Sequence, residues 1–438
     1  MAAPDALHEP TGALGLLDGA LASAASEPRP LGLLLVEITS FDRVSAAFGP
    51  AFASALARTV GERLQQAARP TDKIARVTGA KFAVVVDPAR NQAVLVLAAQ
   101  RFRQALDGPI PVGDANVNAV PRIGIALAGG ATEANRWLQH AEAALLAAAL
   151  DDAPYAVYTP ALAARAADSL ALELDLEAAV KRNELEVFFQ PKVSAATLEP
   201  CGAEALLRWT TPARGRVSPE VFVPLADKLG LIEPLTAFVL NTALRQSAEW
   251  PARAGPLAVS VNVTPRVVEG GELPGLVANA LGMWDARPEH LYVEITEGAI
   301  MHNPQTSFAV LRELREQGVH VSIDDFGTGY SSLAYFKNIP ADELKIDKSF
   351  VMRMLEDEGD RKIVRAVIEL AKSFGLKVTA EGVEGAETAL ALAELRCDAL
   401  QGYYFSPPLP HSQFVAWLEG YRVPERARRL HLSAKAAG

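Results

Sequence analysis

Acidic residues recur in the second half of this 438-residue chain at the ends of short apolar runs. Glu294 and Glu297 lie in VEITE, Asp324 and Asp325 end VSIDD, and Glu381 follows KVTA. If these carboxylates meet, a cation must compensate them, because like charges a few ångströms apart disfavour joint ionisation. Oxygen donors of this kind favour Mg²⁺ or Mn²⁺ over zinc. The adjacent pair Asp324 and Asp325 suits two bridged ions, an arrangement that hydrolyses phosphodiesters by activating water.

Other polar or ionisable residues occupy similar positions in neighbouring apolar runs: Glu204, Asn262, Lys345, Asp347, Glu384 and Gln401. Taken singly, each is more often a helix cap or an ion-pair partner. Asn262 precedes Thr264 and Pro265, as an N-cap would, and the segment 327–329 has the composition of a flexible turn. The repetition over consecutive runs favours one shared site over a series of separate caps.

The elements that must position these residues are strand-like segments that alternate with helical ones beyond residue 183. They are the segments 185–190, 203–208, 257–263, 290–296, 319–324, 343–347, 377–381 and 399–404. Eight such strands over about 240 residues predict a (β/α)8 TIM-like barrel rather than an open sheet. In that architecture the strand ends converge on the carboxyl-terminal face, where active sites lie.

The first half of the chain has the pattern of a smaller α+β domain. LGLLLVEI, KIARV, KFAVVVD and VPRIGIALA are strand-like, and helical segments are predicted at 45–68, 91–106 and 132–149. A length of 438 residues exceeds one ordinary core and predicts a seam between two domains. We therefore expect an N-terminal tail or short capping helix at 1–28, the α+β domain at 29–159, a connecting helix at 160–183, the barrel at 184–425 and a C-terminal tail at 426–438.

Composition limits the classes of partner. Half of the residues are hydrophobic, which indicates a globular chain, and the net charge of −10 disfavours binding to nucleic acid or an anionic membrane. Two cysteines, Cys201 and Cys397, are too few for a disulfide framework or a four-thiolate zinc site. The N-terminus does not resemble a signal peptide, and no apolar run is long enough for a membrane span. The expected location is the cytoplasm.

Seven motifs in order resemble the EAL domain of bacterial cyclic-di-GMP phosphodiesterases. They are GAEALLRW at 202–209, VNVTPR at 261–266, EITE at 294–297, DDFGTGYSSL at 324–333, LKIDKSF at 344–350, AEGVE at 380–384 and QGYYFSPPL at 401–409. The resemblance implies a barrel that linearises cyclic di-GMP to 5′-pGpG with two Mg²⁺ or Mn²⁺ ions, as a cyclic-guanylate-specific phosphodiesterase.

The resemblance also implies roles for individual residues. The implied metal ligands are Glu204, Asn262, Glu294, Asp324, Asp325 and Glu381. Glu381 would also be the general base, Lys345 would orient the attacking water or phosphate, and Glu204 belongs to the same catalytic set. Gln401 would complete that shell and Glu297 would anchor the DDFGTGYSSL loop. Implied substrate contacts are Gln190, Leu206, Arg208, Asp347, Glu384 and Gln401, and the planar donor fork of Arg208 suits a phosphate.

The first domain is similar to a GGDEF (diguanylate cyclase) domain whose signature is degenerate. Its signature turn corresponds to RVTGAKF, where Ala80 and Lys81 replace the acidic pair that a cyclase needs for its metals, so we expect no cyclase activity. Glu37 corresponds to the family's earlier metal position. Arg69 and Asp72 keep the RxxD spacing of an inhibitory cyclic-di-GMP site, although this spacing is more often a surface pair.

Two other functions compete with the enzyme. A receptor would hold cyclic di-GMP in the barrel without cleaving it and signal through a protein partner, whereas a scaffold would ignore the nucleotide. The retained acidic residues favour the enzyme. The resemblance further implies a homodimer formed through the EAL domain, and a regulatory role for the first domain through dimerisation or a signalling protein partner.

Overall fold

The computed structural model describes residues 10–26, 29–113, 115–128, 133–182, 184–251, 255–327 and 338–423. The chain divides into two compact units, with the boundary between Leu172 and Glu173. The predicted C-terminal tail at 426–438 lies outside the described residues. None of the helices within these ranges combines the length and apolar character needed to cross a membrane.

A five-stranded sheet forms the centre of the first unit, with strand order β2-β3-β1-β6-β7. A separate two-stranded sheet pairs β4 with β5. The strands are β1 (Gly32–Ile38), β2 (Lys73–Thr78), β3 (Lys81–Val86), β4 (Pro109–Val112), β5 (Ala115–Asn118), β6 (Pro121–Leu127) and β7 (Tyr155–Val157). The helices are α1 (Pro10–Ser26), α2 (Phe41–Phe48), α3 (Pro50–Ala67), α4 (Gln92–Ala105) and α5 (Ala134–Leu150), and α6 (Pro160–Arg182) follows.

The central strand β1 is buried on both faces, which explains its unbroken apolar sequence. Because successive side chains point to opposite faces, Leu34 packs with residues of α3 and α4, whereas Leu33 packs with residues of α1 and α5. Of the tail and the short capping helix considered for 1–28, the structure has a helix in the described part, and α1 buries Leu17 and Ala20 in the second of these clusters. The predicted α+β fold of this unit is confirmed.

The second unit is a closed barrel, as predicted. Its strands are β8 (Leu185–Ser194), β9 (Pro200–Thr211), β10 (Gly215–Val217), β11 (Ala258–Asn262), β12 (Leu291–Thr296), β13 (His320–Phe326), β14 (Glu343–Ile346), β15 (Lys377–Ala380), β16 (Ala399–Gln401) and β17 (Leu409–Pro410). The barrel order is β9-β11-β12-β13-β14-β15-β16-β8, and pairing of β8 with β9 closes it. Two short strands lie outside this closed order: β10 pairs with β9, and β17 pairs with β8.

One barrel strand departs from the regular β/α alternation. In the barrel order, each neighbouring pair from β9 through β11 to β16 is parallel, but β8 is antiparallel to both of its neighbours. The reason is local, because only five residues separate Ser194 from Pro200, and a parallel crossover needs about a dozen or more. Residues of β8 therefore enter the barrel in the opposite chain direction.

Helices connect most of the parallel strands of the barrel. They are α7 (Pro219–Lys228), α8 (Ile232–Ser247), α9 (Pro265–Glu269), α10 (Leu273–Trp284), α11 (Glu297–His302), α12 (Pro304–Glu316), α13 (Lys348–Val351), α14 (Glu358–Ser373), α15 (Ala386–Glu394) and α16 (His411–Gly420), with a 3₁₀ turn at Pro288–His290. Helix α14 illustrates how an apolar face packs these helices onto the barrel, since Val364, Val367, Ile368 and Ala371 are buried at helical spacing.

Candidate active site

The ammonium group of Lys345 lies at the centre of the polar barrel interior. Its Nζ is 2.6 Å from Glu381 Oε1, 2.6 Å from Glu294 Oε2, 3.2 Å from Asp324 Oδ1 and 3.5 Å from Glu204 Oε2. The Lys345 side chain is only 1% exposed. Four carboxylates that are distant in sequence thus converge on one buried cation.

Asp324 and Asp325 reach the same region because the strand is irregular at this point. In a regular strand, adjacent side chains point to opposite faces. The pairing of β13 with β14 shifts register between Ile323 and Phe326, and Asp325 has a φ of 54°, a left-handed value uncommon for a residue other than glycine. Asp324, Asp325 and Glu381 consequently offer one oxygen each within 4.8 Å of one another.

The electrostatics show more negative charge than the lysine can compensate. Burial raises the pKa of Glu381 to about 8, although Lys345 acts in the opposite direction. Burial also raises the pKa of Glu204, Asp324 and Asp325, and neighbouring carboxylates add to each shift. These groups therefore resist ionising together unless a further cation is present.

Glu294 behaves differently from the carboxylates around it. Burial raises its pKa, but the ammonium groups of Lys192 and Lys345 outweigh that effect and lower it to about 2. In turn, burial lowers the pKa of Lys345, but the surrounding carboxylates raise it well above its ordinary value. The ion pair of Glu294 with two lysines is therefore the firmly charged part of the cluster.

The donor set fits hard divalent ions. Asp324, Asp325 and Glu381 supply three oxygens in a compact group, and oxygen donors suit Mg²⁺ or Mn²⁺. The other three predicted ligands adjoin this group: Glu294 and Glu204 contact Lys345, and Asn262 Nδ2 donates to Glu204 Oε1 at 2.6 Å. The raised pKa values of three of these carboxylates are the physical sign that a cation fits here.

A cavity of about 530 Å³ opens over the acidic group. Five of the six predicted substrate contacts line it: Gln190, Leu206, Arg208, Glu384 and Gln401. Gln401 Nε2 donates to Glu204 Oε2 at 2.6 Å and to Gln190 Oε1 at 3.0 Å, so it joins the reversed strand β8 to the acidic cluster. Asp347 is not among the lining residues of this cavity, and its carboxylate caps α13 by accepting the Ser349 amide at 2.9 Å.

The predicted anchor Glu297 is buried beside the start of the DDFGTGYSSL segment. Its Oε2 accepts a hydrogen bond from the amide of Gly327 at 3.3 Å. Residues 328–337 lie outside the described part of the chain, so the contact concerns the first turn of that segment only.

Several residues of the site were missed by sequence reasoning. Lys192, in VFFQPKV, is 5% exposed and binds Glu294, and Glu343 is 6% exposed and receives a hydrogen bond from Ser322. Lys348 and Tyr403 line the cavity. The available signal for Lys192 was a charged residue in the middle of a largely apolar segment.

In the first unit, the signature turn of the sequence pairs with strand β1. Lys81 is the register partner of Glu37, and its Nζ lies 3.2 Å from Glu37 Oε1. Asp72 Oδ2 accepts the Arg69 backbone amide at 2.9 Å and pairs with Arg101 Nη2 at 2.8 Å. The ion-pair partner of Asp72 is thus Arg101, a residue that the sequence spacing did not indicate.

Family comparisons agree with this arrangement of two units. The EAL domain profile matches residues 173–408, and the profile described as diguanylate cyclase, GGDEF domain, matches residues 13–152. The chain belongs to the EAL domain family and carries a GGDEF domain ahead of the barrel.

Two relatives from Pseudomonas aeruginosa align with most of this chain. The bifunctional diguanylate cyclase/cyclic di-GMP phosphodiesterase MucR is 34% identical over 403 residues, which cover 91% of this chain and 59% of MucR. The cyclic di-GMP phosphodiesterase NbdA is 33% identical over 397 residues, covering 90% of this chain and 50% of NbdA. This chain therefore spans about half to three fifths of the length of these relatives.

A solved structure, described as PaMucR phosphodiesterase in a c-di-GMP complex, resembles the barrel with a TM-score of 0.53. It is 40% identical and covers 56% of this chain and 99% of its own.

Proposed function

We propose that this protein is a metal-dependent phosphodiesterase that hydrolyses cyclic di-GMP to 5′-pGpG. The observation that carries the proposal is the compact group of Asp324, Asp325 and Glu381 at a cavity whose wall includes Arg208 and Gln401. Support for the substrate comes from the MucR barrel, which has been solved in complex with c-di-GMP.

Two divalent ions would be held by Asp324, Asp325 and Glu381, with Glu204, Asn262 and Glu294 as further ligands. When bound, such ions neutralise the phosphate, lower the pKa of water and favour the ionised form of nearby carboxylates. Mg²⁺ and Mn²⁺ both suit this set of donors.

Glu381 would be the general base. Its Oε1 contacts Lys345, so the ion pair fixes the carboxylate while its other oxygen can take a proton from the attacking water. Lys345 holds Glu381, Asp324 and Glu294 together and orients them. The catalytic set is Glu381, Lys345 and Glu204.

Arg208 would bind a phosphate of the substrate from the wall of the cavity. A guanidinium group presents a planar fork of donors that matches phosphate oxygens. Gln190, Leu206, Glu384 and Gln401 line the same space and would contact the nucleotide. The predicted contact of Asp347 and the predicted homodimer through the barrel stay predictions, as does the cytoplasmic location.

The GGDEF domain would be inactive as a cyclase. The ammonium group of Lys81 lies against Glu37, at the position where the family would place a metal, and an ion pair there competes with metal binding. We propose a regulatory role for this domain through dimerisation or a signalling protein partner. The nucleotide site at Arg69 and Asp72 stays a prediction.

The experiment that tests the function separates an enzyme from a receptor. The purified full-length protein is incubated with cyclic di-GMP and Mn²⁺ or Mg²⁺, beside a sample with chelator, and the products are separated by chromatography. Metal-dependent 5′-pGpG is the expected result. Binding of cyclic di-GMP by calorimetry without cleavage under any metal would favour the receptor, and neither binding nor cleavage would leave the scaffold.

A further inference from the structure

Lys192 lies inside the barrel on the reversed strand β8 and takes no part in the roles described so far. Its Nζ is 2.6 Å from Glu294 Oε1, 2.7 Å from Ser260 Oγ and 3.6 Å from Glu343 Oε1. The lysine thus joins four elements of the barrel, β8, β11, β12 and β14, through polar contacts among buried side chains.

The carboxylate of Glu294 is divided between two lysines. Oε1 contacts Lys192 and Oε2 contacts Lys345, both at 2.6 Å, and the Glu294 side chain is 0% exposed. Each oxygen therefore has its own cation, and the plane of the carboxylate is fixed.

The Lys192 ammonium group also contacts Glu343, which is itself held by a hydrogen bond. Glu343 Oε1 lies near Lys192 Nζ and accepts a hydrogen bond from Ser322 Oγ at 2.9 Å. Beyond these groups is a second cavity of about 210 Å³, also lined by Tyr292 and Lys377. Because Tyr292, Glu343 and Lys377 stand at the beginnings of their strands, this cavity lies at the amino-terminal end of the barrel.

We propose that Lys192 is a positioning residue for the metal site, which it serves by holding Glu294 so that Oε2 faces Lys345 and the acidic group. The inference rests on the proposed function of that site. Partners that orient a ligand commonly contribute 10- to 100-fold to metal affinity, on the order of the effect expected here.

A purely electrostatic role would have the opposite sign. Lys192 is a cation close to the metal site, so its charge alone repels a divalent ion. Replacing it by a neutral residue would then tighten metal binding. Positioning predicts weaker binding, so the direction of the change distinguishes the two.

The experiment is a calorimetric titration of the full-length protein with Mn²⁺, without nucleotide. We expect Lys192→Met to weaken Mn²⁺ binding about 10-fold or more. Lys192→Arg should recover part of the affinity, because it keeps the cation and the adjacent cavity gives room for the larger head group. The matched control is Lys377→Met, which removes another lysine of the same cavity that contacts Tyr292 instead of Glu294; its Mn²⁺ affinity should equal that of the wild type.

A milder variant covers the case in which Lys192→Met fails to fold. Ser260→Ala removes one acceptor from the Lys192 ammonium without leaving a buried charge unpaired, and we expect about threefold weaker Mn²⁺ binding. Unchanged or tighter binding in Ser260→Ala and in any folded Lys192→Met would overturn the inference. If the wild type then still cleaves cyclic di-GMP, the proposed phosphodiesterase function stands without the positioning role of Lys192. A wild type that neither binds Mn²⁺ nor cleaves cyclic di-GMP would overturn both the function and the positioning role.

Discussion

Two regions of this chain place a lysine against glutamate, and they differ in charge balance. In the GGDEF domain, Lys81 meets Glu37 one to one, and their side chains are 23% and 36% exposed. In the barrel, Lys345 is 1% exposed and contacts four carboxylates. A half-exposed balanced pair needs no further cation, whereas a buried excess of carboxylates does. The comparison teaches that burial and charge excess together distinguish a metal site from an ordinary ion pair.

The largest expected effect is catalytic and confined to the barrel. Glu381→Ala removes the candidate general base, and we expect the turnover of cyclic di-GMP to fall by about 1,000-fold, within the range that general base catalysis supplies. Nucleotide binding should persist, since Glu381 serves the water more than the substrate. Chromatographic rates and calorimetric binding measure the two properties. Unchanged turnover would show that the base lies elsewhere.

The second prediction compares the two lysines directly through protein stability. Lys345→Met leaves buried carboxylates without their cation, and we expect about 3 kcal/mol lower free energy of unfolding in metal-free protein at pH 8. Lys81→Met breaks the half-exposed pair and should cost about 0.5 kcal/mol or less. Urea unfolding of the two variants beside the wild type measures both costs. Equal costs would contradict the distinction between the two regions.

The third prediction follows from the raised pKa of Glu381. A carboxyl whose pKa is higher in the folded state than its ordinary value of 4.5 stabilises the fold when protonated, and this contribution is lost as the pH rises towards about 8. Glu381→Gln cannot ionise. In metal-free protein, the variant should therefore gain about 4 kcal/mol relative to the wild type between pH 5 and pH 9, because most of the shift from 4.5 to about 8 falls in this range. A difference that does not change with pH would refute the raised pKa.

The smallest effect is expected at the GGDEF signature. Because Lys81 occupies the region where metals would be needed, purified protein given GTP and Mg²⁺ should form neither cyclic di-GMP nor its hydrolysis product 5′-pGpG above a control without enzyme. A second control contains the same protein without GTP. Product that depends on GTP would mean that the paired glutamate still supports cyclase chemistry.

Much of the fold was predictable from the sequence because short apolar runs and the polar residues at their ends are local signals. These signals predicted the barrel and a shared site for Glu204, Asp324 and Glu381, and in the structure all three carboxylates contact Lys345. The reversal of β8 was not predicted, since it depends on a five-residue connection whose meaning appears only when the sheet closes. Lys192 was missed because a lysine in a strand is ordinarily exposed. Its burial here depends on the neighbouring strands that enclose it in the folded barrel.

The placement of Asp325 shows another limit of sequence reasoning. Two adjacent aspartates in a regular strand point apart, and the shared site arises from a register shift and a left-handed backbone at Asp325. Arg101 similarly pairs with Asp72 across 29 residues of sequence, a contact that spacing along one segment does not reveal.

The most direct test of the central claim is the rate of 5′-pGpG formation by the full-length protein as Mn²⁺ is titrated, beside the same titration of Asp325→Asn. The account predicts no product in chelator and a rate that rises to saturation with Mn²⁺. The variant should need a higher Mn²⁺ concentration for half-saturation, because the substitution removes one negative charge from the acidic group. Cleavage that proceeds equally with chelator, or an Asp325→Asn curve identical to the wild type, would contradict it.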